Sequence, residues 1–296
     1  MDFELSDEQR QLADSLGRLL QDRYDFEARA KRLATPTGVD DSLWRQVAEL
    51  GVLALPLSEQ AGGFAGGAVD LMQPLALLGR ALAIEPITAQ LTASVLLDTL
   101  AASGASAEAP GPGGPALKAL LEACASGQQR LAWAHDDAVS ADPVRLVDGR
   151  LTGTKLDVEG AGRADWLLVT VAPDHPSGRA APALYLIPAR RDDVSIRSFR
   201  LLDNRQAAEV TFKATPISGA APGGPVGTAG EPTRQAIKAA LDFSSALLCA
   251  EAMGLIEFAC EATLDYLKTR KQFGVPIGSF QALQHRIVDL HVELEQ

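Results

Sequence analysis

The sequence predicts a multidomain α+β protein: a helical segment first, a small antiparallel β domain of the barrel or sandwich kind in the middle, and a C-terminal helical bundle that is incomplete. Three observations carry this. Apolar residues recur at helical spacing through roughly the first hundred residues. Short runs rich in β-branched and aromatic residues, separated by Gly, Pro and Asp turns, then occupy Arg130 to Phe212, and from Pro232 to Gln272 nothing breaks a helical pattern. The corresponding segments are 1–126, 127–226 and 227–296. With 47% hydrophobic residues in 296, the chain can fill real cores at ordinary domain sizes.

Taken in order, Ser6 followed three residues later by Gln9 is a capping box, and Leu12, Leu16, Leu19 and Leu20 recur behind it. Asp41 to Leu50 reads as a second helix, with Leu43, Val47 and Leu50 on one face and Gly51 as its stop. Leu57 to Gly67 carries four glycines in eleven residues. It is neither a phosphate loop nor a dinucleotide fingerprint, because no strand pattern leads into it. From Val69, the spacing of Leu71, Leu75, Leu78 and Leu82 predicts a helix broken at Pro86, and Ile87 to Leu100 predicts another. Ala101 to Pro115 reads as an exposed loop, and Ala116 to Cys124 as a short helix.

The strand-like runs are Arg130–Ala134, Val144–Val147, Arg150–Leu156, Trp166–Val171, Ala183–Ile187, Val194–Ile196 and Ala208–Phe212, with Asp148-Gly149 a strong hairpin signal between two of them. Gly219 to Gly230 reads as a linker, after which Pro232 suits the first turn of a helix. That helix is about sixty ångströms long at 1.5 Å per residue, with a stripe of Ile237, Leu241, Leu248, Leu255, Ala259 and Leu267.

A formal net charge of −11 argues against nucleic acid or an anionic membrane as partner, since both need a basic footprint. No apolar run approaches the ~20 residues that span a bilayer, and the N-terminus is acidic where a secretory signal is basic, so a cytoplasmic location is expected. Cys124, Cys249 and Cys260 form no CxxC pair. They support neither disulfides nor a metal site, and the two on apolar helical sequence are expected to be small buried hydrophobes.

The stretch Lys268 to Gln281 is the most informative. Gly274, Pro276 and Gly278 end the long helix, and Ser279 is a good N-cap for the next one. Arg270, Lys271, Gln272 and Phe273 stand side by side, a set suited to a phosphate-bearing, flat-ringed cofactor. A second reading stays open: cations near a helix C-terminus meet the macrodipole, and Phe273 anchors a core.

On the block Tyr266-Leu267-Lys268-Thr269-Arg270-Lys271-Gln272-Phe273-Gly274-Val275-Pro276-Ile277-Gly278-Ser279-Phe280-Gln281, the opening Asp2 to Arg10 and the Gly62-Gly63-Phe64 loop, the chain resembles the acyl-CoA dehydrogenase family over nearly its whole length. Leu248 to Gly254 brings it closest to the small-subunit side of the pimeloyl-CoA dehydrogenase branch, in which unlike subunits assemble. The resemblance implies FAD, an acyl-CoA thioester substrate oxidised across Cα and Cβ to the 2,3-enoyl-CoA, a large dehydrogenase subunit as partner, and an electron-transfer flavoprotein that reoxidises the flavin. It implies that a glutamate takes the α-proton while flavin N5 accepts the β-hydride. By match, Arg270 reaches the FAD pyrophosphate of a neighbouring subunit, Gln272, Phe273, Phe280 and Gln281 supply further FAD contacts, and Asp242 lies near the acyl-CoA.

Two places depart from the family. Where it has Thr-Glu-Pro-Gly and Trp-Ile-Thr against the flavin ring, this chain has Ala134-His135-Asp136-Asp137 and Asp157-Val158-Glu159. Carboxylates there oppose a reduced, anionic flavin by about a kcal/mol or more each if partly buried. The expectation is that this β domain does not hold a working flavin ring, and that His135, Asp157 and Glu159 are exposed loop residues. The catalytic base is the second departure. One branch of the family places it near Ser244, where this chain has Ser244 and Ser245. The other places it in a C-terminal region that runs roughly eighty residues further. Glu251 and Glu257 sit on the long helix, where a glutamate more often faces solvent or pairs. The rival expectation is a non-catalytic assembly subunit that stabilises a dehydrogenase partner.

Overall fold

The computed structural model describes residues 5–35, 38–103, 114–137, 143–171, 182–217, 223–227 and 229–295. Helix α1 (Asp7–Arg23) starts at the expected capping box: Ser6 Oγ accepts from the Gln9 amide at 3.2 Å, and Gln9 Oε1 accepts from the Ser6 amide at 2.8 Å. Leu16 and Leu20 form its buried face. Helix α2 (Phe26–Leu33), eight residues long with none of them buried, was not expected from the sequence. Helix α3 (Asp41–Glu49) is capped by Asp40, whose Oδ1 accepts from the Ser42 and Leu43 amides, and Gly51 beyond its end has φ 84°.

Helix α4 (Ala68–Arg80) ends earlier than the sequence suggested: Leu82 turns left-handed at φ 53°. Pro86 instead sets up the start of α5 (Ile87–Ala102), where a missing N–H costs nothing. Helix α6 (Gly114–Ala125) begins at the edge of the expected loop, whose residues 104–113 lie outside the described ones.

All seven predicted strand runs form strands: β1 (Leu131–Ala134), β2 (Arg145–Val147), β3 (Arg150–Lys155), β4 (Trp166–Val171), β5 (Ala183–Pro188), β6 (Val194–Arg200) and β7 (Gln206–Pro216). An eighth, β8 (Gly224–Gly227), lies within the stretch expected to be a linker. Of the barrel and sandwich alternatives the described strands form the two-sheet one, not a closed barrel, and the expectation of wholly antiparallel pairing is corrected. The described strands make two open four-stranded sheets, ordered β1-β4-β5-β8 and β2-β3-β7-β6, and β1 runs parallel to β4. The parallel pair is possible because the chain leaves the first sheet after β1, builds β2 and β3 in the second, and only then returns.

Period-two alternation explains the layering. Leu131, Leu168, Leu184 and Leu186 join Leu96, Leu97, Leu117 and Leu121 of α5 and α6 in one core. Their neighbours Ala132, Leu167, Val169, Tyr185 and Ile187 join Leu151, Val210 and Phe212 of the second sheet in another. The central strands are thus buried on both faces, which is why β4 reads as an almost continuous apolar run.

Helix α7 (Glu231–Thr269) has 39 residues and is followed by two short strands, β9 (Lys271–Gln272) and β10 (Val275–Pro276), and by α8 (Gln281–Glu295). It stops at Thr269, three residues before the expected end. Of the predicted stripe, Ile237 and Leu267 are buried, whereas Leu241, Leu248 and Leu255 are 43–45% exposed. By length and composition α7 could cross a membrane, which corrects the expectation that no stretch approaches that size. Cys124 is buried and its thiol is pushed up to about 12 by desolvation, while Cys249 is exposed and not the buried hydrophobe its setting suggested.

The chain forms two compact units. One comprises Phe26–Leu71 and Ile84–Ala246 and holds both sheets. The other comprises Met1–Asp25, Met72–Ala83 and Leu247–Gln296. In the latter, α4 and α7 cross through buried glycines. A Cβ on Gly79 would overlap the Glu251 carbonyl, and one on Gly254 would overlap the Ala76 carbonyl and sit 2.8 Å from Ala76 Cα. Arg80 binds Glu261 beside this crossing, lies 3.9 Å from Glu257 and covers the Phe258 ring.

Candidate functional site

The Lys268–Gln281 stretch folds as a hairpin rather than as the end of a helix. Arg270 N donates to Tyr266 O at 2.8 Å, closing α7, and Arg270 O accepts from Ile277 N at 2.8 Å. Between them Lys271 pairs with Pro276 and Gln272 with Val275, leaving a two-residue loop. Its residues, Phe273 at φ 53° and Gly274 at φ 82°, are both left-handed, the requirement of a type I′ turn. Glycine meets that requirement freely, but for an aromatic residue it is a strained conformation.

The strain has a visible product. Phe273 is 93% exposed, its ring centroid 6.2 Å from that of Phe280 with the planes at 85°, so the reading of Phe273 as a core anchor is corrected. Ser279 is not an N-cap either: it lies in the 3-10 turn Ile277–Ser279 and its hydroxyl donates to Pro276 O at 2.7 Å. Arg270, Lys271, Gln272 and Gln281 are all exposed. Among the described residues, neither Arg270 nor Lys271 meets a carboxylate at ion-pair distance.

Asp242 is an exposed residue of α7, in the other unit. Ser245 spends its hydroxyl on Leu241 O at 2.9 Å. Glu257 faces Arg80, as a glutamate on a long helix commonly does, and Glu251 is half-buried at the glycine crossing. Position 244 itself carries a serine, so no carboxylate stands there.

The β domain brings together residues that no sequence motif connects. Trp133 Nε1 donates to Thr170 Oγ1 at 2.9 Å, and the same hydroxyl lies 3.0 Å from His135 Nδ1. With one proton and two lone pairs, that hydroxyl can donate to His135 Nδ1 or accept from it, according to the imidazole tautomer. The two rings lie 4.5 Å apart. Beneath them Lys155, 1% exposed, donates to His135 O at 2.7 Å and to Asp137 Oδ1 at 2.8 Å. Burial pushes the Lys155 ammonium below its ordinary range, while Asp137 pulls it back up. Asp157 is exposed, as expected, but His135 is half-buried, and so is Glu159, which lies 3.7 Å from Arg205. Trp133 lies on β1 and His135 one residue past its end, and the parallel register that sets Ala134 opposite Val169 brings Thr170 alongside, a neighbourhood that no local sequence pattern encodes.

Burial holds the His135 imidazole below its ordinary value; Asp136 and Asp137 raise it and Lys155 lowers it. The unfolded chain therefore takes up a proton near pH 6.5 that the folded one still refuses, so stability falls as pH drops through the window below 6.5. His135→Gln is expected to flatten this loss in urea midpoints measured from pH 7 to pH 5. An unchanged slope would refute the assignment.

Helices, a two-sheet middle and a long terminal helix ending in an exposed cation–aromatic hairpin make up the layout of a class of acyl-thioester oxidoreductases. Residues 6–108 match the family model described as acyl-CoA dehydrogenase, N-terminal domain, and residues 233–296 match acyl-CoA dehydrogenase, C-terminal domain. The two take in more than half of the sequence, and the chain belongs to the acyl-CoA dehydrogenase family. Among its relatives, the acyl-CoA dehydrogenase IpdE2 of Mycobacterium tuberculosis is 28% identical over 289 residues, 97% of this chain and 72% of that protein. The fold is similar to the ChsE4-ChsE5 complex from Mycobacterium tuberculosis, with TM-score 0.80 and 24% identity over 100% of this chain and 76% of that one. It is also similar to a Tcur3481-Tcur3483 steroid ACAD variant, with TM-score 0.79 and 28% identity over 98% and 74%.

Proposed function

We propose that this chain is a cytoplasmic, FAD-dependent acyl-CoA dehydrogenase subunit that works with a large partner subunit in the α,β-dehydrogenation of an acyl-CoA thioester to the 2,3-enoyl-CoA. The observation that carries this reading is the contrast between its two half-sites. The hairpin fits the diphosphate half of FAD: Arg270 and Lys271 are cations without acidic partners among the described residues, and Gln272, Gln281, Phe273 and Phe280 add amides and rings at the same exposed turn. The β domain does not fit the ring half. The His135 Nδ1, the Trp133 N–H and the Thr170 hydroxyl are spent on one another, and exposed Asp136 and Asp157 bring negative charge that would oppose a reduced ring, whereas Asp137 is paired with Lys155 and Glu159 lies by Arg205.

FAD, when bound, accepts the β-hydride, and an electron-transfer flavoprotein removes the electrons. This chain's own contribution is to bind and orient. The Arg270 fork pairs with diphosphate oxygens, Lys271 adds a point charge, and Phe273 gives an apolar edge held out by its left-handed backbone. Asp242 lines the acyl-CoA. The Tcur3481-Tcur3483 steroid ACAD, 28% identical and named for two differently named chains, supports an unlike partner.

The test is to purify the chain alone and co-expressed with its large subunit, then measure bound flavin and acyl-CoA oxidation. Flavin is expected only in the co-expressed material. One FAD per monomer and dehydrogenase activity in the chain alone would overturn the proposal. Ser244 and Ser245, standing where one branch of the family has its carboxylate base, favour a second reading, a non-catalytic assembly subunit. Flavin retention after loss of Arg270 is the result that separates it from the first.

A further inference from the structure

We propose that Gln284 is the positioning residue that holds the two halves of the hairpin site together; this rests on the cofactor reading above. The exposed set is split. Arg270, Gln272 and Phe273 lie in or beside the β9–β10 hairpin, whereas Phe280 and Gln281 begin α8. A two-stranded hairpin is marginal in water by itself, and this one carries a strained phenylalanine at its tip. Something must hold it.

The ties are few. Arg270 O receives Ile277 N, and Gly278 is tucked so closely under the end of α7 that a Cβ there would lie 2.9 Å from Leu267 O. From outside the turn comes Gln284, in the second turn of α8, whose Nε2 donates to Gly278 O at 2.8 Å across six residues. Its own backbone N donates to Phe280 O at 3.1 Å, and Phe280 is the ring that Phe273 meets edge-on. One residue therefore fixes the carbonyl at the base of the hairpin and the start of the helix that completes the set. Gln284 itself is exposed, so its amide contributes little to the fold as a whole.

The test uses Gln284→Met, similar in length but without a donor. Hydrogen exchange of the Arg270–Gly278 amides is expected to rise about fivefold to tenfold, on the scale of one lost hydrogen bond, while amides of the sheets are unchanged. In the assembled enzyme, stripped and titrated with FAD, affinity should fall by a similar factor with no change in thermal midpoint. Gln284→Lys, which keeps a donor, should restore the slow exchange. Unchanged exchange in Gln284→Met, or faster exchange with undiminished FAD affinity, would overturn the positioning role. A fall in affinity accompanied by a lower midpoint would overturn it too. Arg270→Ala run in parallel distinguishes the levels: if it also leaves FAD binding intact, the cofactor reading itself has failed. If it alone weakens binding, only the role of Gln284 has.

Discussion

Arg270→Ala is expected to leave the assembled enzyme folded and nearly colourless. The guanidinium is exposed and has no acidic partner among the described residues, so its removal breaks no ion pair of this chain and should not move the thermal midpoint. On the proposed reading, the substitution removes the planar fork that would hold a diphosphate. Hydrogen bonds to charged groups contribute about 1.5–3 kcal/mol, which converts to roughly tenfold to a hundredfold weaker FAD binding. Arg270→Lys separates charge from geometry: it keeps the point charge and loses the bidentate fork, so an intermediate loss of about tenfold is expected. Flavin content and FAD titration of the co-purified complex measure both. A variant that keeps its full complement of flavin would move the balance to the assembly-subunit reading.

The fold was legible wherever one face of an element is buried. The Ser6–Gln9 box, the Leu43–Val47 face and the seven strand runs all follow a period that burial imposes. It was illegible where burial is absent, where turn-forming residues make up the element, or where pairing depends on distant strands. Helix α2 is only eight residues long and buries nothing, too short for a repeated period to mark it. β8 is a Gly-Pro-Val-Gly edge strand whose glycines and proline read as a linker, although Val226 is fully buried. Parallel pairing of β1 and β4 depends on a crossover that no local pattern encodes.

The site shows the same division. The residue types of Arg270 to Phe273 were plain, and so was the interruption at Gly274. The hairpin was not, because lysine, glutamine, valine and proline in pairs carry no strand period. Two residues are too few to show alternation, and the turn type is set by a phenylalanine that ordinarily avoids it. The Trp133–His135–Thr170 cluster was missed for a different reason. Its members are 35 and 37 residues apart in sequence, and only the strand register joins them.

Gly254→Ala is expected to destabilise the protein by about 2 kcal/mol or more, against the sign that helix propensity alone would give. Alanine in mid-helix is favoured over glycine by about 1 kcal/mol. At Gly254, however, the new methyl meets the Ala76 carbonyl, and the contact is reciprocal, since Gly79 faces the Glu251 carbonyl one turn away. Both obstacles are backbone, so no rotamer change relieves them. The helices must move apart, which also loosens the Arg80–Glu261 pair and the Arg80 contact with the Phe258 ring. Gly17 in α1 supplies the control. A Cβ there would lie 3.9 Å from a Leu77 methyl, ordinary van der Waals contact, so Gly17→Ala should stabilise by about 0.5–1 kcal/mol. Urea midpoints at constant slope measure both. Opposite signs for the same substitution in two helices would isolate close backbone approach as the reason Gly254 is glycine, and a Gly254→Ala protein as stable as the parent would show that the crossing can open without loss.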